Sequence, residues 1–384
     1  MKSSKSFCNS LSEAYTRTMA PVQSCISRIF LFTVAAAVCF GPAEAAAAPV
    51  STMNVQMVAD EADAVLRILA EKESGRAISD EDWKHLFASE GYVRLKKRED
   101  SMKRSFSDAD FERFVLSTDL AAKAPQLRDT LERWKQADIR DAGQRALAYL
   151  PSNAQIRAKI YPVIKPRTNS FVFEADSDPA IFLYLDPDES KDRFENTVAH
   201  ELHHIGYANA CPAMSTNTSG NQTDKPVATV LQWVGAFGEG WAMLAAAGGP
   251  DVHPHQFSKP EDRTRWDRDV ARMSQDLQEV QSFFLDVLNQ KLKTEEEIQQ
   301  KAFSFFGVQG PWYTVGWKMA VTIEREFGRP ALINCICDRK RFLVVYNEAA
   351  TQWNQSSTEK LPLWPEDFLS RIGVVAPSPA GVAP

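Results

Sequence analysis

The sequence predicts an α+β fold, mainly α-helical, with a small antiparallel sheet set immediately before one apolar helix. Three observations predict it. Apolar residues recur at helical spacing over most of the first third and nearly all of the second half. Between Pro151 and Leu185 the pattern changes to short β-rich runs broken by Pro, Asn and Asp. The composition, 44% hydrophobic and 24% charged over 384 residues, is that of an ordinary globular chain long enough for one large domain or two modest ones.

The first 48 residues stand apart. Ile29 to Phe40 is an apolar run preceded by Arg28 and followed by small residues, Ala43-Glu44-Ala45 among them. Charged flank, short core and small-residue exit describe a secretory signal peptide. A start at Met19 gives it a more usual length. The run is shorter than the roughly 20 residues of a comfortable span, so no stable membrane insertion is expected once the leader is removed; an uncleaved anchor is the alternative. The expected location is secreted or periplasmic. The net charge of the whole chain is −6, and the leader holds four basic and two acidic residues, so the remainder is more acidic still. With no long basic run, nucleic acid is not an expected partner. Cys211, Cys335 and Cys337 lie beyond the leader. In an oxidising compartment they allow one disulfide, from Cys211 to either of the others, or none.

Residues 49–150 read as a helical N-terminal region. Val58, Ala62, Val65, Leu66 and Leu69 give helical spacing over 53–72, and Ser79 followed by three acidic residues marks a helix start. A second region, 151–373, begins with the candidate strands, at 156–164, 171–173 and 181–185. Pro162 demotes the first to a sheet edge. Helices are expected at about 191–207, 227–247, 261–292, 295–306, 311–327, 340–352 and 364–372, with a polar loop over 211–226. The Pro/Ala-rich stretch 374–384 reads as a disordered tail.

The chemistry concentrates on the first helix after the sheet. Three of the six histidines lie within Ala199-His200-Glu201-Leu202-His203-His204. Four-residue spacing stacks His200 and His204 on one helical face, so two imidazoles can meet one metal. Zinc suits such ligands, and Glu201 beside it can act as general base toward a metal-activated water. Val198, Ala199, Leu202 and Ile205 make the helix apolar, and unpartnered histidines there would be costly to bury. His203 reads as a supporting, substrate-facing or simply packed residue. Asn196 is a candidate partner for a ligand imidazole, with a solvent-facing or helix-start role as the alternative for it and for Glu195.

A third ligand must come from elsewhere. The strongest candidate is Glu239, a carboxylate in the otherwise apolar Phe237-Gly238-Glu239-Gly240-Trp241-Ala242, where small residues would let the helix approach that of His200. A buried pairing with Lys or Arg is the competing reading for Glu239. Asp224, His253 and His255 are alternative ligands, the two histidines reading as exposed surface residues.

The pair of motifs resembles the gluzincin branch of the zincin-like zinc peptidases, closest to its bacterial zinc-dependent peptidase domains, over roughly residues 155–330. The resemblance implies His200, His204 and Glu239 as zinc ligands, Glu201 as catalytic base, and a peptide or protein substrate. It also implies a sheet whose edge strand holds extended substrate. Tyr207 and Ala210 replace the glycine and histidine of the metzincin extension, and no GAMEN-like exopeptidase motif occurs. A downstream tyrosine in several such enzymes stabilises the oxyanion; Tyr313, sharing a helical face with Gly316, Trp317 and Ala320, is the candidate, level with its reading as a core aromatic. The alternative to a peptidase is a non-peptidase zinc hydrolase or a catalytically silent zinc-containing binding domain.

Overall fold

The computed structural model describes residues 52–175, 177–212 and 225–374. The leader, Asp224 and the tail beyond Val374 lie outside the described residues, as does most of the 211–226 loop. Strand β1 (Thr52–Met57) is followed by helices α1 (Asp60–Glu73), α2 (Asp80–Ala88), α3 (Glu90–Ser101), α4 (Asp108–Val115), α5 (Thr118–Lys135) and α6 (Ile139–Leu147). Strands β2 (Gln155–Val163), β3 (Phe171–Phe173) and β4 (Ala180–Tyr184) lead into α7 (Lys191–Ala210). Then come α8 (Lys225–Val234), a 3-10 turn (Gly235–Phe237), α9 (Gly238–Ala247), α10 (Pro260–Val270) and α11 (Met273–Leu288). The chain closes with α12 (Glu295–Ser304), α13 (Pro311–Phe327), α14 (Arg329–Ile333), α15 (Arg339–Ser356) and α16 (Glu366–Arg371).

The fold is α+β and mainly helical, as expected, but the sheet is mixed rather than antiparallel. Its order is β1-β2-β4-β3. The β1–β2 and β2–β4 pairs are parallel and the β3–β4 pair is antiparallel. Residues 52–57 account for part of the difference. Thr52, Asn54 and Gln56 are exposed while Met53, Val55 and Met57 turn inward, a period-two strand. It runs almost directly into α1, whose Ala62, Val65, Leu66 and Leu69 supply the helical spacing expected of the whole window.

Pro162 does not put β2 at an edge. The Ile160 carbonyl accepts from the Val58 N–H at 2.8 Å on the β1 side. Backbone groups alternate sides along a strand, so the Pro162 nitrogen faces that same side, beyond the last β1 pair at Met57. No ladder bond is lost there. The next N–H on that side, Ile164, is taken up by a carboxylate oxygen of buried Glu61 at 3.0 Å.

The two faces of the sheet do different work. Ile156, Ala158, Ile160, Ile181 and Leu183 join the main core, which runs from Ala62 to Ile372 and includes α7. Tyr161, Val163, Phe171, Phe173 and Phe182 form a smaller core with Leu95 of α3 on the other face. Helix α7 lies directly on β2. A Cβ at Gly206 would stand 2.4 Å from Leu150 Cδ1 and 3.0 Å from Ile156 Cγ1, so any larger residue would have to displace these side chains.

Helix α7 is capped by Ser190, whose hydroxyl accepts from the Arg193 N–H at 3.2 Å. It ends at Cys211, which is disulfide-bonded to Cys337 with the Cα atoms 5.3 Å apart. Cys335 is the buried free thiol. Its Sγ donates to the Leu332 carbonyl at 3.0 Å. The bridge ties the end of α7 to the start of α15. Cys337→Ser is expected to lower the unfolding free energy by about 2–5 kcal/mol in urea titrations. A wild type as stable after reduction as before would contradict this.

Candidate metal centre

Four-residue spacing on α7 brings the His200 and His204 rings together, with centroids 4.7 Å apart. Glu239, in the first turn of α9, completes the group. The Nε2 atoms of the two histidines are 3.1 Å apart. Glu239 Oε2 lies 3.3 Å from His200 Nε2 and 3.4 Å from His204 Nε2. A tetrahedral zinc with ligands at ~2.0–2.1 Å has ligand–ligand edges of about 3.3–3.4 Å. The three atoms therefore already stand near the corners of one face of such a shell, and the donor set, two imidazoles and a carboxylate, suits zinc. Among the described residues this is the only cluster of three or more His, Cys, Asp or Glu side chains placed to hold a metal. His253, His255 and described acidic residues elsewhere do not join it.

The electrostatics follow from burial. Burial alone would raise the Glu239 carboxyl, but the imidazoles of His204 and His200 outweigh it and hold its pKa at about 2. Burial lowers the basicity of His204, and the Glu239 carboxylate reverses this, leaving its pKa raised. Glu201 is 3% exposed. Its pKa is raised, first by burial, against the pull of His200 and His204. Its Oε2 has no hydrogen-bond partner among the described residues. Such a buried carboxylate oxygen is rare unless it serves a metal, a water or a reaction.

Residues 83–355 match the family model described as "Putative zinc dependent peptidase (DUF5700)". The chain belongs to this family. The DUF5700 match starts in α2 and ends in α15, so it encloses the triad and most of the helices that precede the sheet. The zinc dependence in the family's description agrees with the donor set. No match to the chain was found among curated proteins or among solved structures.

In this DUF5700 chain the carboxylate is positioned by a backbone crossing. A Cβ at Gly240 would fall 1.9 Å from Trp317 N and 2.4 Å from Tyr313 O, and one at Gly316 would fall 2.4 Å from Phe237 O. The small residues around Glu239 thus serve close approach to α13, not only to α7 as the sequence suggests. The expected 227–247 helix is also interrupted, by the 3-10 turn just before Glu239.

The remaining candidates separate. Tyr313 is 2% exposed, and its ring stands nearly parallel to that of His200 with centroids 6.4 Å apart. His203 is 1% exposed; burial first, then His204 and His200, push its pKa far down. Asn196 points away from the metal side: its Oδ1 accepts from Arg145 and its Nδ2 donates to the Pro254 carbonyl, both at 3.4 Å. Glu195 accepts from the Asp138 N–H at 2.7 Å, tying α7 to the start of α6. His255 is buried rather than exposed, with Nδ1 2.9 Å from Ser258 Oγ. His253 Nε2 lies 2.9 Å from Asp267.

Tyr207 and Arg339 went unassigned in the sequence reading. Tyr207 lies one turn past His204 on the same face, a spacing that could have flagged it. Nothing in the sequence links Arg339 to that turn.

Proposed function

We propose that this chain is a gluzincin-type peptidase that cleaves amide bonds of peptides or proteins, with Glu201 as general base. The observation that carries the proposal is the buried Glu201 Oε2, without a donor among the described residues, beside two histidines and a glutamate whose spacing suits zinc. When bound, zinc supplies Lewis acidity toward water and toward the amide carbonyl. His200, His204 and Glu239 hold the ion on one side. Glu201 takes the proton of the attacking water and returns it to the departing amine nitrogen. The apolar walls of α7 and α9 keep bulk water away from that transfer. The Cys211–Cys337 bond supports an oxidising, extracytoplasmic location.

Glu201→Gln tests the assignment, since it keeps shape and removes the base. Zinc content by elemental analysis should match wild type, while kcat on a peptide library falls by about 10²–10⁴. Full turnover in the variant would remove Glu201 from the mechanism. Chelation should abolish wild-type cleavage and zinc should restore it.

For Tyr313 we propose the oxyanion-donor role, and its burial beside His200 sets up a discriminating result. Tyr313→Phe should lower kcat by about 10²–10³ with zinc affinity unchanged if the hydroxyl meets the reacting oxygen. Weaker zinc binding at unchanged kcat would instead make it a positioning residue for His200.

A further inference from the structure

The two imidazoles of the metal centre differ in exposure. The His200 side chain is 2% exposed and that of His204 17%. Next to Glu239, a Cβ at Gly238 would meet nothing within 4 Å among the described residues. Tyr207, three residues past His204, Gly235, four before Glu239, and Arg339 are part-exposed. Arg339 touches both ligand-bearing segments, Tyr207 of α7 and Gly235 of the 3-10 turn that leads into α9. The Tyr207 hydroxyl is hydrogen-bonded to Arg339. A Cβ at Gly235 would stand 2.9 Å from Arg339 Nε and 3.1 Å from Nη2, so the guanidinium occupies the space that a side chain at 235 would take.

We propose that Arg339, with Tyr207, is an anion subsite that binds a substrate carboxylate one or two residues from the amide to be cut. It deepens the peptidase reading above and rests on it for the word substrate. Tyr207 lies three residues beyond His204, about 4.5 Å along α7, and Gly235 four before Glu239, about 6–8 Å with the steeper rise of the 3-10 turn. Extended peptide covers these distances in one or two residues at about 3.3–3.6 Å each. The guanidinium is a planar fork matched to a carboxylate. Its position is fixed through the disulfide. Cys211, four residues after Tyr207, is bonded to Cys337, two residues before Arg339.

The carboxylate can be a chain terminus or an Asp or Glu side chain, and paired probes distinguish them. Titration calorimetry on the zinc-loaded full chain would compare mercaptoacetyl-Ala-Ala as free acid and as carboxamide, and mercaptoacetyl-Asp-Ala amide with its Asn counterpart. Wild type should bind the acid of at least one pair tenfold or more tightly; which pair shows the preference names the source. Arg339→Ala should erase the preference at unchanged zinc content. Gly235→Ala, which keeps the charge and displaces it, should reduce the preference, and it carries the test if Arg339→Ala does not fold. Equal affinities within both wild-type pairs, no binding of any probe, or a preference that survives both substitutions would overturn the subsite. Carboxylate-selective binding by a protein that cleaves no peptide would keep the subsite and remove the peptidase reading. Peptide cleavage without carboxylate selectivity would do the reverse.

Discussion

Replacing Glu239 with alanine is expected to abolish zinc binding at stoichiometric concentration and with it all turnover. Two imidazoles would remain, one almost fully buried, with no anion to balance the ion. Loss of a supporting partner of a metal ligand typically costs 10–100-fold in affinity, and loss of a ligand should exceed about a hundredfold. Thermal unfolding gives a check independent of activity. A ligand present at 100 times its Kd stabilises the native state by ~2.7 kcal/mol, so the wild-type Tm should climb with added zinc and that of Glu239→Ala should stay flat. The apo variant should be less stable than apo wild type, because two buried imidazoles lose their carboxylate partner, so each protein's zinc shift is read against its own zinc-free Tm. A zinc-dependent Tm shift retained in full would show that the third ligand lies elsewhere. His204→Ala should behave like Glu239→Ala.

The second large effect concerns a residue that touches no metal. Gly240→Ala should destabilise the fold by about 3 kcal/mol or more, at the upper end of overpacking costs. The new methyl would fall on backbone atoms of Trp317, Gly316 and Tyr313, and no side-chain rotation can relieve a clash with backbone. Helices α9 and α13 would have to separate, carrying Glu239 away from the histidines. Urea denaturation should show the loss, and the folded fraction should bind zinc more weakly than wild type. An unaltered denaturation midpoint would mean that the crossing is looser than its geometry states. Ala242→Gly, two residues along, creates no such clash and serves as a control of opposite steric sense.

The cluster that could hold a metal was legible because its logic is local. His200 and His204 are related by helical spacing alone, and Glu239 betrayed itself as one carboxylate in an apolar run. Most helices after the sheet were legible for the same reason, down to Pro311 at the start of α13, but the expected 227–247 helix is broken by a 3-10 turn and the expected 261–292 helix is two, Pro260–Val270 and Met273–Leu288. Where partners are distant, the reading failed. Residues 52–57 show a strand pattern only once their parallel partner, 155–160, is known. Pro162 reads as an edge signal until the end of β1 is placed opposite it. His255 looked exposed because its flanks are polar, yet its ring packs against Trp266 at 5.1 Å. The small residues around Glu239 announced a close helix contact without naming the helix. Tyr313 was found through its face-mates and now stands beside His200, while Arg339 reaches its place through a disulfide that spacing cannot assign.

That disulfide has a topological consequence. Cys211 and Cys337, 126 positions apart, close a covalent ring. Glu239 and all of α13 lie on the ring, and His200 and His204 sit on the stem just before it. A backbone cut anywhere between 212 and 225 would therefore leave one molecule, not two fragments. The histidine-bearing stem would stay fastened to the glutamate-bearing part both by the sulfur link and through any ion they share. The centre is thus built to outlast nicking of the segment that joins its halves, for as long as the surroundings remain oxidising.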